Sequence, residues 1–313
     1  MMPPMILCLG TTPALQRVMM FGDFTLDEVN RASRTLDGAA GKSINVAKTL
    51  KVLGVEPLAV GFLGGDRGGF IRQTLDGAGV AHEFLEVSAR TRECVTILDE
   101  HAGTTTELVE ESGLVTLEEF RGLQEVVRRR LVESRAVVLS GTLAPGVPET
   151  FYRDSVAWAR ERHLPVVLDA KGAPLTLALE AGPDVVKPNR AELASTVGRP
   201  LSTMEEVRDA MVELGKRGAR GVVVTEGEGA VLAWDGRQGW RIQPPTIPAV
   251  NPIGSGDAFT AGLTWRMLEG DSLGEASRWG AACGTANALT LMAGEVDRAE
   301  VERLAGMVRV AVW

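Results

Sequence analysis

The feature that most constrains this chain is the alternation of short, uniformly apolar runs with amphipathic helical patterns. Met5–Leu9, Leu58–Phe62, Ala136–Leu139, Val166–Asp169, Val185–Val186 and Val222–Thr225 are strand-length runs with no polar alternation. A strand with one wet face alternates with period two; a strand without that period is buried on both faces, as in a parallel sheet covered by helices. Helical patterns occupy the intervals: Ser43–Leu53, Gly69–Gly77, Leu117–Glu133, Pro148–Arg162, Met204–Gly218, and finally Asp257–Glu269, Leu273–Leu289 and Ala299–Val310. The expectation is an α/β fold with a mostly parallel central sheet and helices on both faces. Two stretches break the rhythm. Residues 11–37 and 91–110 are polar and rich in Thr and Arg, and Arg92–Asp99 with Thr104–Val109 reads as a hairpin around His101-Ala102-Gly103. They are expected to form a small β-layer projecting from the main sheet, with surface loops as the alternative. Gln243–Pro252 holds four prolines and reads as a rigid extended connector. With no internal repeat and no low-complexity linker, residues 1–313 read as one domain.

Composition narrows the partners. The balance of 33 basic against 41 acidic residues gives a net charge of −8, which argues against a general nucleic-acid binder. Cys8, Cys94 and Cys283 are too scattered for a disulfide framework or a CxxC zinc site and fit a reducing compartment. No apolar run approaches the ~18 residues of a membrane span. The first ten residues lack the basic start of a signal peptide, so a cytoplasmic protein is expected. His82, His101 and His163 stand in no ligand or triad pattern.

The most informative segment is Asn251-Pro-Ile-Gly-Ser-Gly-Asp-Ala-Phe-Thr-Ala-Gly-Leu263. Gly254 and Gly256 flank Ser255 just before a helix, so successive N–H groups can converge where the helix dipole adds its positive end, making an anion site. Asp257 in that first turn is either an N-cap or a general base that deprotonates a hydroxyl beside the anion hole. Gly41-Lys42-Ser43 is not a Walker A motif, because position 36 is Leu36 and Arg31–Thr35 is polar. The segment from Gly38 to Ser43 can still hold a phosphate or sugar hydroxyls, or Lys42 is a solvated lysine. Gly61–Asp66 lacks the dinucleotide spacing, which disfavours a dehydrogenase. In Lys187-Pro-Asn-Arg-Ala-Glu192, Asn189 and Glu192 lie three apart at a strand-to-helix junction, suiting hydrated Mg²⁺ with phosphate or a plain helix cap. Ser140–Pro148 is a glycine- and proline-rich strand exit that could line a substrate.

Together these segments resemble the PfkB (ribokinase-like) carbohydrate kinases, in order, along nearly the whole chain. Gly38–Ala47 with Gly61–Gly65 resembles that family's first signature and Asn251–Gly262 its second, while Asn189 and Glu192 match its Asn-x-x-Glu element. Thr12–Leu15, Thr91-Arg92, Thr106-Glu107 and Ser140–Pro148 resemble the 1-phosphofructokinase and tagatose-6-phosphate kinase branch. The resemblance implies a ribokinase-like domain with a small β-sheet lid, which often forms a dimer interface, so a homodimer through the lid is an expectation. It implies that ATP and Mg²⁺ phosphorylate a hydroxyl of a sugar phosphate. Asp257 would be the base, with Gly254, Ser255 and Gly256 as the anion hole. Asn189 and Glu192 would organise Mg²⁺ through water, and Lys187 would help neutralise the nucleotide. Thr225, Gly227 and Gly229 match the nucleotide side, and Asn287 the adenine region. Gln16, Gly41, Lys42, Asn45, Arg92 and Ser140 fall on the sugar-phosphate side, where Lys42 and Arg92 would read the substrate's phosphate.

The sugar end departs from that pattern. Asn-Pro-Ala-Leu-Asp becomes Thr12-Pro-Ala-Leu-Gln16, Gly-Gly-Lys-Gly becomes Ala40-Gly-Lys-Ser43, and Thr-Arg-x-Asn becomes Thr91-Arg-Glu-Cys94. The loop Thr225–Ala230 is one residue shorter than usual. The alternatives are a kinase of an unphosphorylated sugar or nucleoside, or a catalytically silent sugar or nucleotide sensor on the same scaffold.

Overall fold

The computed structural model describes residues 5–313. The chain runs β1 (Met5–Leu9), β2 (Ala14–Phe21), β3 (Arg34–Ala40), α1 (Lys42–Val52), β4 (Pro57–Leu63), α2 (Gly65–Gly77), β5 (Ala81–Glu86), β6 (Arg92–Asp99) and β7 (Thr104–Val109). Then come α3 (Leu117–Leu131), β8 (Ser134–Ser140), α4 (Phe151–Arg160), β9 (Val166–Asp169), α5 (Gly172–Leu179), β10 (Val185–Val186), α6 (Arg190–Val197) and α7 (Met204–Lys216). It closes with β11 (Gly221–Val224), β12 (Val231–Trp234), β13 (Gly239–Gln243), α8 (Ser255–Leu268), α9 (Leu273–Ala288), α10 (Arg298–Ala305) and β14 (Arg309–Val312).

Among the described residues ten strands form the central sheet in the order β14-β13-β12-β11-β10-β9-β8-β1-β4-β5. From β11 to β5 every pairing is parallel; β12, β13 and β14 add antiparallel strands at one edge. The six apolar runs are six of the parallel strands. Alternate side chains of β1 enter two separate cores: Ile6 and Cys8 join one, and Leu7 and Leu9 the other. Burial on both faces is why these runs carry no polar alternation.

The irregular stretches do form the second layer, a four-stranded sheet ordered β3-β2-β6-β7. Its outer pairings are antiparallel, and β2–β6 at its centre is parallel. Val18, Leu98 and Met292 pack under it as a small core of their own. Two expectations fail in detail. The helix read over Ala299–Val310 ends at Ala305, and Arg309–Val312 instead pairs with β13, with Val310 opposite Ile242. A turn at Gly306-Met307 ends the helix, and the β-branched residues Val310 and Val312 beyond it suit a strand. The polar strand β5 carries no long apolar run and escaped the reading, as did the hairpin β12–β13, although Val231–Trp234 is uniformly apolar.

Candidate active site

Parallel strands gather their carboxyl ends on one edge, where open α/β sheets hold ligands. Here the exits of β1, β8 and β9, the first turns of α1 and α8, and the inner face of the lid enclose a cleft of about 490 Å³. Both helix starts are built on glycine. Gly41 precedes α1 at φ 110°, and Gly254 precedes α8 at φ 86°, in the left-handed region. A Cβ on Gly254 would lie 2.7 Å from the Ala293 Cβ, so only glycine makes this turn. Behind it, Ala258, Ala261 and Gly262 are buried, and a Cβ on Gly262 would come within 2.6 Å of the Cys283 Sγ on α9. The small residues thus let α8 sit close enough to aim its N-terminus into the cleft.

Gly254 is the N-cap of α8, and no side chain caps that turn. Asp257 therefore is not the cap. Its carboxylate faces the cleft and accepts a hydrogen bond from Asn45 Nδ2 at 2.7 Å. Burial pushes Asp257 up to about 6; Lys42, Asn45 and Lys187 pull against that, and the Asp169 charge adds to it. The N–H of Ser255 donates to Pro252 O at 3.2 Å, and its hydroxyl is 3.3 Å from Asn287 Nδ2. Ser255 is therefore spent on holding the loop, and Gly254 and Gly256 are the loop residues that line the cleft.

The floor is an ion cluster that sequence reasoning missed. Asp169, at the end of β9, is buried between Lys42 Nζ at 3.0 Å and Lys187 Nζ at 3.1 Å, with Thr260 Oγ1 at 3.4 Å. Burial alone would raise Asp169, but the two ammonium groups hold it below the usual carboxylate range. Lys42, which burial would lower, is held above its usual range by Asp169 and Asp257. Lys42 is thus not a free surface lysine: its ammonium pairs with Asp169, while its side chain is 40% exposed and lines the cleft. The signal for Asp169 was available, since it is a carboxylate ending an apolar parallel strand.

The remaining sequence-derived residues separate into groups. Gln16, Asn45 and Arg92 line the cleft with Gly41 and Lys42. Each of those three has a buried polar atom with no partner among the described residues: Gln16 Oε1, Asn45 Oδ1 and Arg92 Nε. Arg92 Nη2 donates to Thr12 O at 3.0 Å. Ser140 lies beneath the cleft with its hydroxyl buried, while Gly141 and Thr142 line it. Asn189 and Glu192 form a reciprocal capping box at 2.9 Å in each direction, so the capping alternative is realised, and Glu192 also faces the cleft. Thr225 bridges to Asn189 at the next strand exit, with Gly227 exposed beyond it, outside the cleft lining. Asn287 is fully buried; its Nδ2 donates to Ile253 O and the Ser255 hydroxyl, and its Oδ1 accepts from the Gly294 N–H. It holds the anion loop rather than facing a nucleotide. Glu107, Glu111 and Lys171 line the cleft and were not singled out as site residues.

The sequence matches the pfkB family carbohydrate kinase profile over residues 4–296. The chain belongs to that family. It is therefore a phosphotransferase that acts on a sugar hydroxyl. Among solved structures it is similar to "Possible 1-phosphofructokinase" from Thermotoga maritima, at 26% identity and a TM-score of 0.91, with 99% of each chain covered. It is similar also to phosphofructokinase-2 from Escherichia coli, solved in complex with fructose-6-phosphate, at 26% identity and a TM-score of 0.86, covering 98% of this chain and 99% of that one. Among the described residues no helix is long and apolar enough to cross a membrane.

Proposed function

We propose that this chain transfers the terminal phosphoryl group of ATP to a hydroxyl of a sugar phosphate, with Asp257 as the general base. The observation that carries the reading is the buried Asp257 carboxylate, held by Asn45 beside the glycine turn that opens α8. A carboxyl raised to about 6 is ionised at neutral pH yet basic enough to accept a hydroxyl proton as the oxygen attacks. Gly254 and Gly256 present main-chain N–H groups at the positive end of α8, where charge develops on the transferring phosphoryl. Lys187 lies under the same loop, its Nζ 3.7 Å from where a Gly256 Cβ would stand, and Lys42 adds a second positive charge to the floor. Positioning and electrostatics are what phosphoryl transfer asks of a protein.

Mg²⁺ would neutralise and orient the nucleotide phosphates. Among the described residues no three His, Cys, Asp or Glu side chains converge as a metal cage. The donor set fits Mg²⁺ all the same, because that ion keeps several waters and takes one or two carboxylates plus phosphate oxygens. Glu192 would hold it through water, with Asn189 fixing Glu192 by the capping box. Thr225, Gly227 and Gly229 at the adjoining strand exit would border the nucleotide.

The sugar side is Gln16, Asn45 and Arg92, whose unpartnered polar atoms are two acceptors for hydroxyls and one donor for an anion. Among the described residues Arg92 makes no ion pair, which leaves its charge for a substrate phosphate. Fructose-6-phosphate in the Escherichia coli relative supports the same substrate class. The outward β7 residue Leu108 is 53% exposed, and pairing of two lids would cover it. The test is a coupled ADP-release screen of the purified protein with ATP–Mg²⁺ over free and phosphorylated ketohexoses. Turnover of a phosphorylated ketose supports the reading. Turnover of free sugars alone assigns a neutral substrate, and binding of both ligands without turnover assigns a sensor.

A further inference from the structure

The short turn 291–294 lies between three parts of the site. On the lid side, Met292 packs with Val18 and Leu98, and a Cβ on Gly38 would strike its Cε at 2.4 Å. On the anion-loop side, Ala293 abuts Gly254, Leu291 O accepts from Asn251 Nδ2 at 2.8 Å, and the Gly294 N–H donates to Asn287 Oδ1 at 2.7 Å. On the α1 side, a Cβ on Gly294 would lie 2.6 Å from Asn45 Cα, and Thr49 Oγ1 donates to Gly294 O at 3.1 Å.

Lys48 crosses this junction. Its Nζ donates to Ala293 O at 2.7 Å and approaches Ala39 O, on the inner end of β3, at 3.4 Å. Among the described residues it makes no ion pair. Burial lowers its ammonium from the usual lysine range, and the Glu295 charge offsets that only in part. A partly buried lysine spent on two main-chain carbonyls is costly to keep unless the geometry it fixes matters. One carbonyl belongs to the lid root and the other to the wall of the anion loop.

We infer that Lys48 is a positioning residue that locks the root of the lid to the anion loop through the turn 291–294, so that the sugar-holding and phosphoryl-holding halves keep one spacing. Lys48 is not among the residues that line the cleft. It acts through Ala293 on Gly254 and through Ala39 on the strand that pairs with Gln16. The inference rests on the reading of Gly254 and Gly256 as the anion hole, but its first test does not.

Hydrogen exchange of the free protein should show faster exchange over both 34–40 and 251–257 in Lys48→Met, and near wild-type exchange over both in Lys48→Arg. Thr49→Val, which cuts the other tie of α1 to the same turn, should loosen 251–257 alone. In steady-state assays with ATP and the fastest phosphorylated ketose of the screen, Lys48→Met should lower kcat by about 10- to 100-fold, the scale of a roughly 1 Å misplacement. Both KM values should stay within about threefold, and Lys48→Arg should recover most of kcat. Unchanged exchange in either segment of Lys48→Met overturns the lock, as does a loss of melting temperature with kcat intact. Failure of the kinase reading shows differently: wild type then turns over no sugar phosphate, and the exchange data still decide the lock.

Discussion

Asn45 Nδ2 donates to the Asp257 carboxylate at 2.7 Å, joining the first turns of α1 and α8 across 212 residues of sequence. The bond does two things. It fixes the carboxylate toward the cleft, and it favours the ionised form that burial disfavours. The other amide atom, Asn45 Oδ1, is buried without a partner among the described residues, so one side chain can orient the Asp257 carboxylate and keep an acceptor free.

Asp257→Asn keeps the shape of the side chain and removes its proton acceptance. Turnover should fall by about 10²–10⁴-fold, while ATP binding, carried by main-chain N–H groups, survives. The folded chain holds the Asp257 proton up to about 6 while the unfolded chain releases it near 3.8, so ionisation of this group reduces stability as pH rises between those values. The variant should therefore melt no lower than wild type at pH 8. Kinetics and melting together separate chemistry from folding.

The same carboxyl should set the acid limb of the pH–rate profile. Activity should be lost as pH falls through about 6, where the base becomes protonated. The Asn45 bond holds that value down, so Asn45→Ala should move the limb to higher pH besides lowering kcat. Profiles of kcat/KM for both proteins check it; an unmoved limb would mean that Asn45 serves only the sugar.

The parallel core and both glycine turns were legible because local sequence dictates them. Apolar runs without alternation have to be buried on two faces, and Gly254 has to stand where φ is positive. The ion cluster was not legible, because Asp169, Lys42 and Lys187 meet only through strand order, which no single segment carries. For the same reason the internal partners of two site residues were hidden: Lys42 pairs with Asp169 from the cleft lining, and Asn287, read as an adenine contact, is buried behind the anion loop. Arg309–Val312 was absorbed into a helix because its partner, β13, lies some seventy residues earlier. The capping box of Asn189 and Glu192 shows the converse: one spacing served a local and a cleft-facing role at once.

Asp169→Asn should be the most destabilising single change in the cleft. Asp169 and Lys187 are 1% and 4% exposed, and removing one partner of such a pair costs about 3–5 kcal/mol by leaving a buried charge unpaired. Asp169 is held below its ordinary value, so its contribution is present above about pH 4 and lost as pH falls through the folded value. The difference in denaturation midpoint from wild type should be full at pH 7 and shrink in acid.

Arg92→Ala should weaken the sugar phosphate selectively. A charge-assisted contact of about 1.5–3 kcal/mol corresponds to about a 10- to 150-fold rise in KM for the phosphorylated sugar, with KM for ATP within a few-fold. The lid should keep its fold, since the Arg92 bonds go to the main-chain oxygens of Thr12 and Glu110 and to no carboxylate. Equal weakening of both ligands would place Arg92 elsewhere in the mechanism.

Gln16 lines the cleft from the lid strand β2. Its Nε2 donates to Thr96 Oγ1 at 3.0 Å, which commits one amide hydrogen and turns Oε1 into the free atom, buried and without a partner. The pocket therefore offers one neutral acceptor at this point. An ionised Asp offers two oxygens, and hydrogen bonds to a charged acceptor are roughly twice as strong as neutral ones. Wild type should accordingly show low specific activity on fructose-1-phosphate and tagatose-6-phosphate. Gln16→Asp should lower KM for both. Thr96 can reverse its hydroxyl and donate to the new carboxylate, and Arg92, lining the same cleft, supplies charge. The variant should nonetheless melt lower, because position 16 is only 2% exposed and a buried carboxylate is costly when its partners are few. A gain in affinity together with a loss of stability identifies the charge as the cause, since a mere repacking of the lid would move both the same way. Efficient wild-type turnover of either sugar, unimproved by Gln16→Asp, would show that Glu107, which sits opposite Thr96 across β6 and β7 and also lines the cleft, already supplies the missing acceptor.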